Sequence, residues 1–89
     1  MTAETQLKRQ VKDYLNLKGY FHWHNLAGMG VYKGIPDDFV LHKGVLYGLE
    51  YKAPNGKLSE NQINFRDNME KFGGTFVEVR TLDDVMAFL

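Results

Sequence analysis

The sequence predicts a single α/β domain spanning residues 1–89, built on a mixed β-sheet flanked by helices in the order α-β-β-β-α-β-α. Three observations predict it. Apolar residues recur at helical spacing near the N-terminus. Three short strand-like segments follow, punctuated by glycine. A capping signal then opens a second helix, with one more strand and a short helix after it.

From Glu4 to Lys18 the apolar residues Leu7, Val11, Tyr14 and Leu15, with Leu17 beside them, make one helix face. Gly19 is suited to the left-handed stop. Tyr20 to His24 alternates aromatic and polar residues as a strand does, which assigns Phe21 and Trp23 to the core. Residues 25–36 hold Gly28, Gly30 and Gly34 and read as a flexible loop. Strands are expected near Asp37–His42 and Val45–Lys52, joined at Lys43-Gly44, with a turn over Ala53–Lys57. Ser59-Glu60-Asn61-Gln62 has the S-x-x-Q form of a capping box, so the second helix starts at Ser59 and carries Ile63, Phe65, Met69 and Phe72 to Gly73-Gly74. Thr75–Val79 is the last strand. Thr81 caps a final helix over Leu82–Leu89, with Asp83 and Asp84 at its positive end.

Composition narrows the function. Eleven basic and eleven acidic residues cancel, which argues against binding nucleic acid by bulk charge alone but leaves room for a locally basic face. The absence of Cys excludes disulfides and thiolate metal sites and fits a cytoplasmic location. No apolar run approaches the roughly 20 residues a membrane helix needs, and the N-terminal residues lack the apolar stretch of a signal peptide.

The chemistry concentrates in Asp37, Glu50 and Lys52. If Lys43-Gly44 is a two-residue hairpin loop, Asp37 lies directly opposite Glu50, with Cβ atoms about 4.5–5.5 Å apart. Lys52 shares the face of Glu50 because side chains alternate along a strand. A three-residue loop or a bulge would shift the register and separate them. Opposed carboxylates repel, and a divalent cation turns that repulsion into attraction. Oxygen donors suit Mg²⁺ or Mn²⁺. Such an ion beside a lysine makes a plausible site for phosphodiester hydrolysis.

Gly34-Ile35-Pro36-Asp37, Glu50-Tyr51-Lys52 thirteen positions beyond Asp37, and Leu58-Ser59-x-x-Gln62 together closely resemble the VRR-NUC family of the PD-(D/E)xK nuclease superfamily. The resemblance covers nearly the whole chain. It implies a restriction-endonuclease-like core and a Mg²⁺- or Mn²⁺-dependent deoxyribonuclease. Asp37 and Glu50 would be the side-chain metal ligands, the Tyr51 carbonyl a backbone ligand and Lys52 the catalytic lysine. Glu4 matches the acid on the family's first helix, able to reach the metal through water, although it also suits the positive end of that helix. Gln62 matches a glutamine that supports the site, and it also suits the capping box with Ser59. Asp38 departs from the family pattern, where an apolar residue is commoner. On the two-residue register it points to the opposite face. Stand-alone members are similar to viral junction-resolving enzymes. The expectation is therefore a phage or bacterial endonuclease acting as a homodimer on branched or Holliday-junction DNA in repair, with no nucleotide cofactor. A rival from another class is a non-catalytic DNA-binding or assembly module on the same fold.

The remaining signals are weaker. His22 and His24 share a strand face but lack a third ligand, so zinc is disfavoured and DNA contact or simple exposure is expected. The Gly28–Gly34 loop has no helix after it and so is no dinucleotide fingerprint. It reads as a connection or as an arm touching DNA through Lys33 and Tyr32. Lys8, Arg9, Lys12 and Lys18 form a solvated or a phosphate-binding helix face, and Lys57 lies beside the proposed site. Val85, Met86, Phe88 and Leu89 either close the core or supply a dimer interface.

Overall fold

The structure, a computed structural model, describes residues 2–89. Its elements are α1 (Ala3–Lys18), β1 (Phe21–His24), β2 (Asp38–His42), β3 (Val45–Tyr51), α2 (Glu60–Lys71), β4 (Thr75–Val79) and α3 (Leu82–Met86). This is the expected order. The sheet runs β1-β2-β3-β4, antiparallel through the first three strands and parallel between β3 and β4, with α2 as the crossover.

Local chemistry explains most boundaries. The Thr2 hydroxyl accepts the Thr5 N–H at 3.1 Å and opens α1, and Gly19 closes it in the left-handed region. Lys43 and Gly44 both have positive φ, 50° and 80°, as a type I′ hairpin requires. That turn fixes the register: His42 faces Val45 and Asp38 faces Leu49. At α2 the full capping box forms. The Ser59 hydroxyl accepts the Gln62 N–H, and the Gln62 side-chain oxygen accepts the Ser59 N–H.

The core lies on one side of the sheet. Leu7, Val11 and Leu15 of α1 and Val85 of α3 pack on Val40, Leu49, Tyr51, Val77 and Val79. Helix α2 covers the other side. Gly48, whose missing side chain would point away from Leu49, sits beneath Pro36 and Met69, and a Cβ there would stand 2.6 Å from the proline ring. No side chain of α2 is fully buried. The result is three layers, with α1 and α3 on one face and α2 on the other.

Three expectations are corrected. Leu17 is 86% exposed, because it falls on the flank of α1 rather than over the sheet. Phe21 and Trp23 are not core. They are 66% and 38% exposed, because β1 is an edge strand and α2 reaches only as far as Phe39, whose ring lies 6.3 Å from that of Phe65. The last helix stops at Met86 rather than running to Leu89. Beyond it Leu89 folds back, its carbonyl accepting the Tyr20 hydroxyl, so Val85 and Leu89 serve the core while Met86 and Phe88 remain about half exposed. Among the described residues no helix is long and apolar enough to cross a membrane.

Candidate active site

The site is built where the β2–β3 hairpin leaves its turn-distal end. Asp37 lies one residue before β2, just past the last paired position, Asp38 opposite Leu49. Its carboxylate accepts the backbone N–H of Tyr51 at 2.9 Å, which seats it at the end of β3. Glu50, only 3% exposed, shares its face and meets it. One Glu50 carboxylate oxygen, Oε1, is buried with no hydrogen-bond partner among the described residues. Lys52 follows on the same side, half-buried, with its own N–H tied to the Val79 carbonyl at 3.0 Å.

The electrostatics follow from that placement. Burial, then the hydrogen-bonding contact with Asp37, then the charge of Asp37 push the Glu50 pKa up to about 8; Lys52 and Lys8 pull the other way. A buried carboxyl pressed against a second carboxyl, with an orphaned oxygen, is costly unless a proton or a cation joins the pair. The donor set is all oxygen, which suits a hard divalent ion such as Mg²⁺ or Mn²⁺. Among the described residues no group of three or more His, Cys, Asp or Glu converges on one point.

Three backbone features hold the pair in place. Gly34, at φ 78°, passes so close to the first turn of α2 that a Cβ would lie 2.1 Å from the Asn61 carbonyl oxygen. Pro36 is buried against Gly48. Asn25 donates to the Pro36 carbonyl at 3.0 Å, and its own N–H donates to the Asp37 carbonyl at 2.8 Å. The Gly-x-Pro-Asp run and the Ser-x-x-Gln helix start are thus two sides of one contact.

Asp38 points to the opposite face, away from Glu50. Its two oxygens take the Tyr51 hydroxyl at 2.6 Å and His24 Nδ1 at 2.7 Å. Burial, the bond to Asp38 and the nearby acid charges hold the Tyr51 phenol in its protonated, donating form. His22 is engaged separately, by Asn16 at 2.6 Å. The Gln62 side chain is turned to its cap. Glu4 is exposed on the first turn of α1, with no hydrogen bond or ion pair to Asp37 or Glu50 among the described residues. Lys33 is exposed, while the Tyr32 ring packs edge-on against Phe65 at 5.4 Å.

Two contacts were not foreseen from the sequence. Lys8, expected only as part of a solvated or phosphate-binding helix face, lies over the Tyr51 ring, 5.8 Å from its centre, and its charge reaches Glu50. Arg80 pins the turn after Lys52, donating to the Gly56 carbonyl at 2.5 Å and to Glu78 at 2.6 Å. No local pattern marks it, because the contact spans 24 positions.

The class the chain defines is an α/β fold: a four-stranded mixed sheet with helices on both faces, and two acids and a lysine gathered at the end of its β2–β3 hairpin. Within that class the fold is the VRR-NUC fold. A solved VRR_NUC domain matches with a TM-score of 0.82 at 22% identity, covering 99% of this chain and 98% of its own. A second, a VRR_NUC domain protein, matches with a TM-score of 0.76 at 20% identity, covering 97% of this chain and 84% of its own. No protein-family model matches the sequence, and no curated protein matches it.

Proposed function

We propose that this chain is a single nuclease domain, a divalent-metal-dependent DNA endonuclease. The observation that carries the reading is the buried Glu50, pressed against Asp37 with one oxygen unpartnered, beside Lys52. Asp37, Glu50 and the Tyr51 carbonyl would hold Mg²⁺ or Mn²⁺. When bound, the ion supplies Lewis-acid polarisation of the phosphate. Lys52 Nζ orients the attacking water or stabilises negative charge developing on the phosphate oxygens. Gln62 supports the site by fixing the first α2 turn against the Gly34 loop. Glu4 is the candidate for a water-mediated contact.

The finer reading is a homodimer acting on branched or Holliday-junction DNA in the cytoplasm of a bacterium or a phage-infected host. Two copies related by a two-fold axis bring two sites to two strands. The test is incubation of purified protein with branched and linear DNA, in Mg²⁺ or Mn²⁺ and in EDTA. Cleavage is expected with metal, abolished by Lys52→Ala and by Asp37→Asn. Cleavage that survives Lys52→Ala overturns the assignment. Binding without cleavage, unaffected by Asp37→Asn, points instead to a non-catalytic DNA-binding module.

A further inference from the structure

The ladder between β2 and β3 ends at Asp38 opposite Leu49. Asp37, Glu50 and Lys52 all lie beyond that last pair, so backbone pairing between the two strands does not fix their spacing. On their own face the gap is crossed by the carboxylate of Asp37, which accepts the Tyr51 N–H at 2.9 Å and meets Glu50. A bound ion would draw on those same carboxylates. Something other than the acids therefore has to hold the two strand ends at a set distance.

The opposite face carries a second tie. One Asp38 oxygen accepts the Tyr51 hydroxyl at 2.6 Å, and the other lies 2.7 Å from His24 Nδ1. The chain of contacts joins β1, β2 and β3 across the end of the sheet. Its middle is enclosed: Tyr51 sits in the core and the Asp38 side chain is 16% exposed. A hydroxyl donating to a carboxylate in such surroundings makes a short, strong contact. Side chains alternate between faces, so a residue pinned on one face fixes the direction of its neighbours on the other. Asp38 is pinned next to Asp37, and Tyr51 is pinned between Glu50 and Lys52. One bond from behind thus governs how far the acid of β2 stands from the acid of β3.

We propose that the Asp38–Tyr51 bond, steadied from β1 by His24, is a clasp that spaces Asp37 from Glu50 for a divalent ion. Asp38 and Tyr51 are then positioning residues for the metal rather than ornaments of the core. This rests on the metal-dependent reading of the site and adds to it the contact that sets its affinity. The clasp belongs to this chain: it is made by the one residue of the motif region, Asp38, that departs from the pattern the sequence otherwise resembles.

The full chain and its variants are titrated with Mn²⁺ at pH 8, the free ion being read by electron paramagnetic resonance and folding by circular dichroism melts. Tyr51→Phe leaves every charge in place and is expected to weaken Mn²⁺ binding by about 10- to 100-fold. Asp38→Asn removes the charge but keeps an acceptor for the phenol, and it retains most of the parent's affinity. Tyr51→Phe combined with Asp38→Val replaces both partners by apolar groups, which recovers much of the melting temperature that either loss alone costs. Its Mn²⁺ affinity stays about tenfold or more below the parent's. That split between folding and affinity separates positioning from mere anchoring, and the double variant carries the test if Tyr51→Phe does not fold. Parent-like Mn²⁺ binding by the double variant overturns the clasp. So does a loss in Asp38→Asn equal to that in the double variant, which makes the effect one of charge. A parent chain that takes up no Mn²⁺ removes the metal reading itself, and the clasp with it; a parent that binds while its variants bind equally removes the clasp alone.

Discussion

At the scale of single residues, the free energy of the site is concentrated in Glu50. Its carboxyl is raised to about 8 in the folded chain against about 4.5 when exposed. The native state therefore keeps a proton between those values that the unfolded chain has released. With more protons bound to the native state, stability falls as pH rises through that window. Urea denaturation in EDTA is expected to show this fall between pH 5 and pH 8, with an upper limit of about 1.4 kcal/mol per pH unit. Glu50→Gln flattens the slope and is more stable than the parent at pH 8. A slope unchanged by Glu50→Gln removes the acid pair as its cause. On the other face, Asp38→Ala strips the partner from a buried phenol and costs about 1–3 kcal/mol by the same measurement. The position that departs from the family pattern is thus a structural anchor for Tyr51.

At the scale of elements, the local devices were readable and the non-local ones were not. The I′ turn at Lys43-Gly44, the capping box at Ser59 and the Gly19 stop are encoded within a few residues, and each gives the expected boundary. The turn also settles the strand register, which brings Asp37, Glu50 and Lys52 to one face. What the period-2 alternation of β1 could not reveal is its place at the sheet edge. That depends on how far α2 reaches across, so Phe21 and Trp23 read as core and are not. The Arg80 contact with Gly56 was invisible for the same reason: it joins segments that meet only after β4 pairs with β3. The tightest inter-element contact gives a sharp prediction. Gly34→Ala places a methyl group into the Asn61 carbonyl and also strains a positive φ. It is expected to lower the melting temperature and to reduce cleavage more than Ser59→Ala does. Ser59→Ala removes one cap, at about 1 kcal/mol, and leaves the loop bearing Asp37 seated. If Gly34→Ala melts and cuts like the parent, the loop does not position Asp37.

At the scale of the whole molecule, fold and site are thermodynamically one object. The acids sit at the junction of β2, β3 and the first turn of α2, so whatever satisfies them stabilises all three elements together. A ligand that binds only the folded chain adds RT ln(1 + [L]/Kd), about 2.7 kcal/mol at a hundredfold excess over Kd. For a domain of this size, each kcal/mol moves the melting temperature by about 4–8 °C. Saturating Mn²⁺ at pH 8 is therefore expected to raise it by on the order of 10 °C. The shift is smaller at pH 5, where protons compete for the pair. Asp37→Asn and Glu50→Gln should each abolish it, while Lys52→Ala keeps it and loses only cleavage. That split is informative because the three residues crowd one face: only the carboxylates offer anionic oxygen donors, and only the lysine brings an ammonium. A Mn²⁺ shift that survives loss of either acid would place the ion elsewhere and leave the buried, unpartnered oxygen of Glu50 without an explanation.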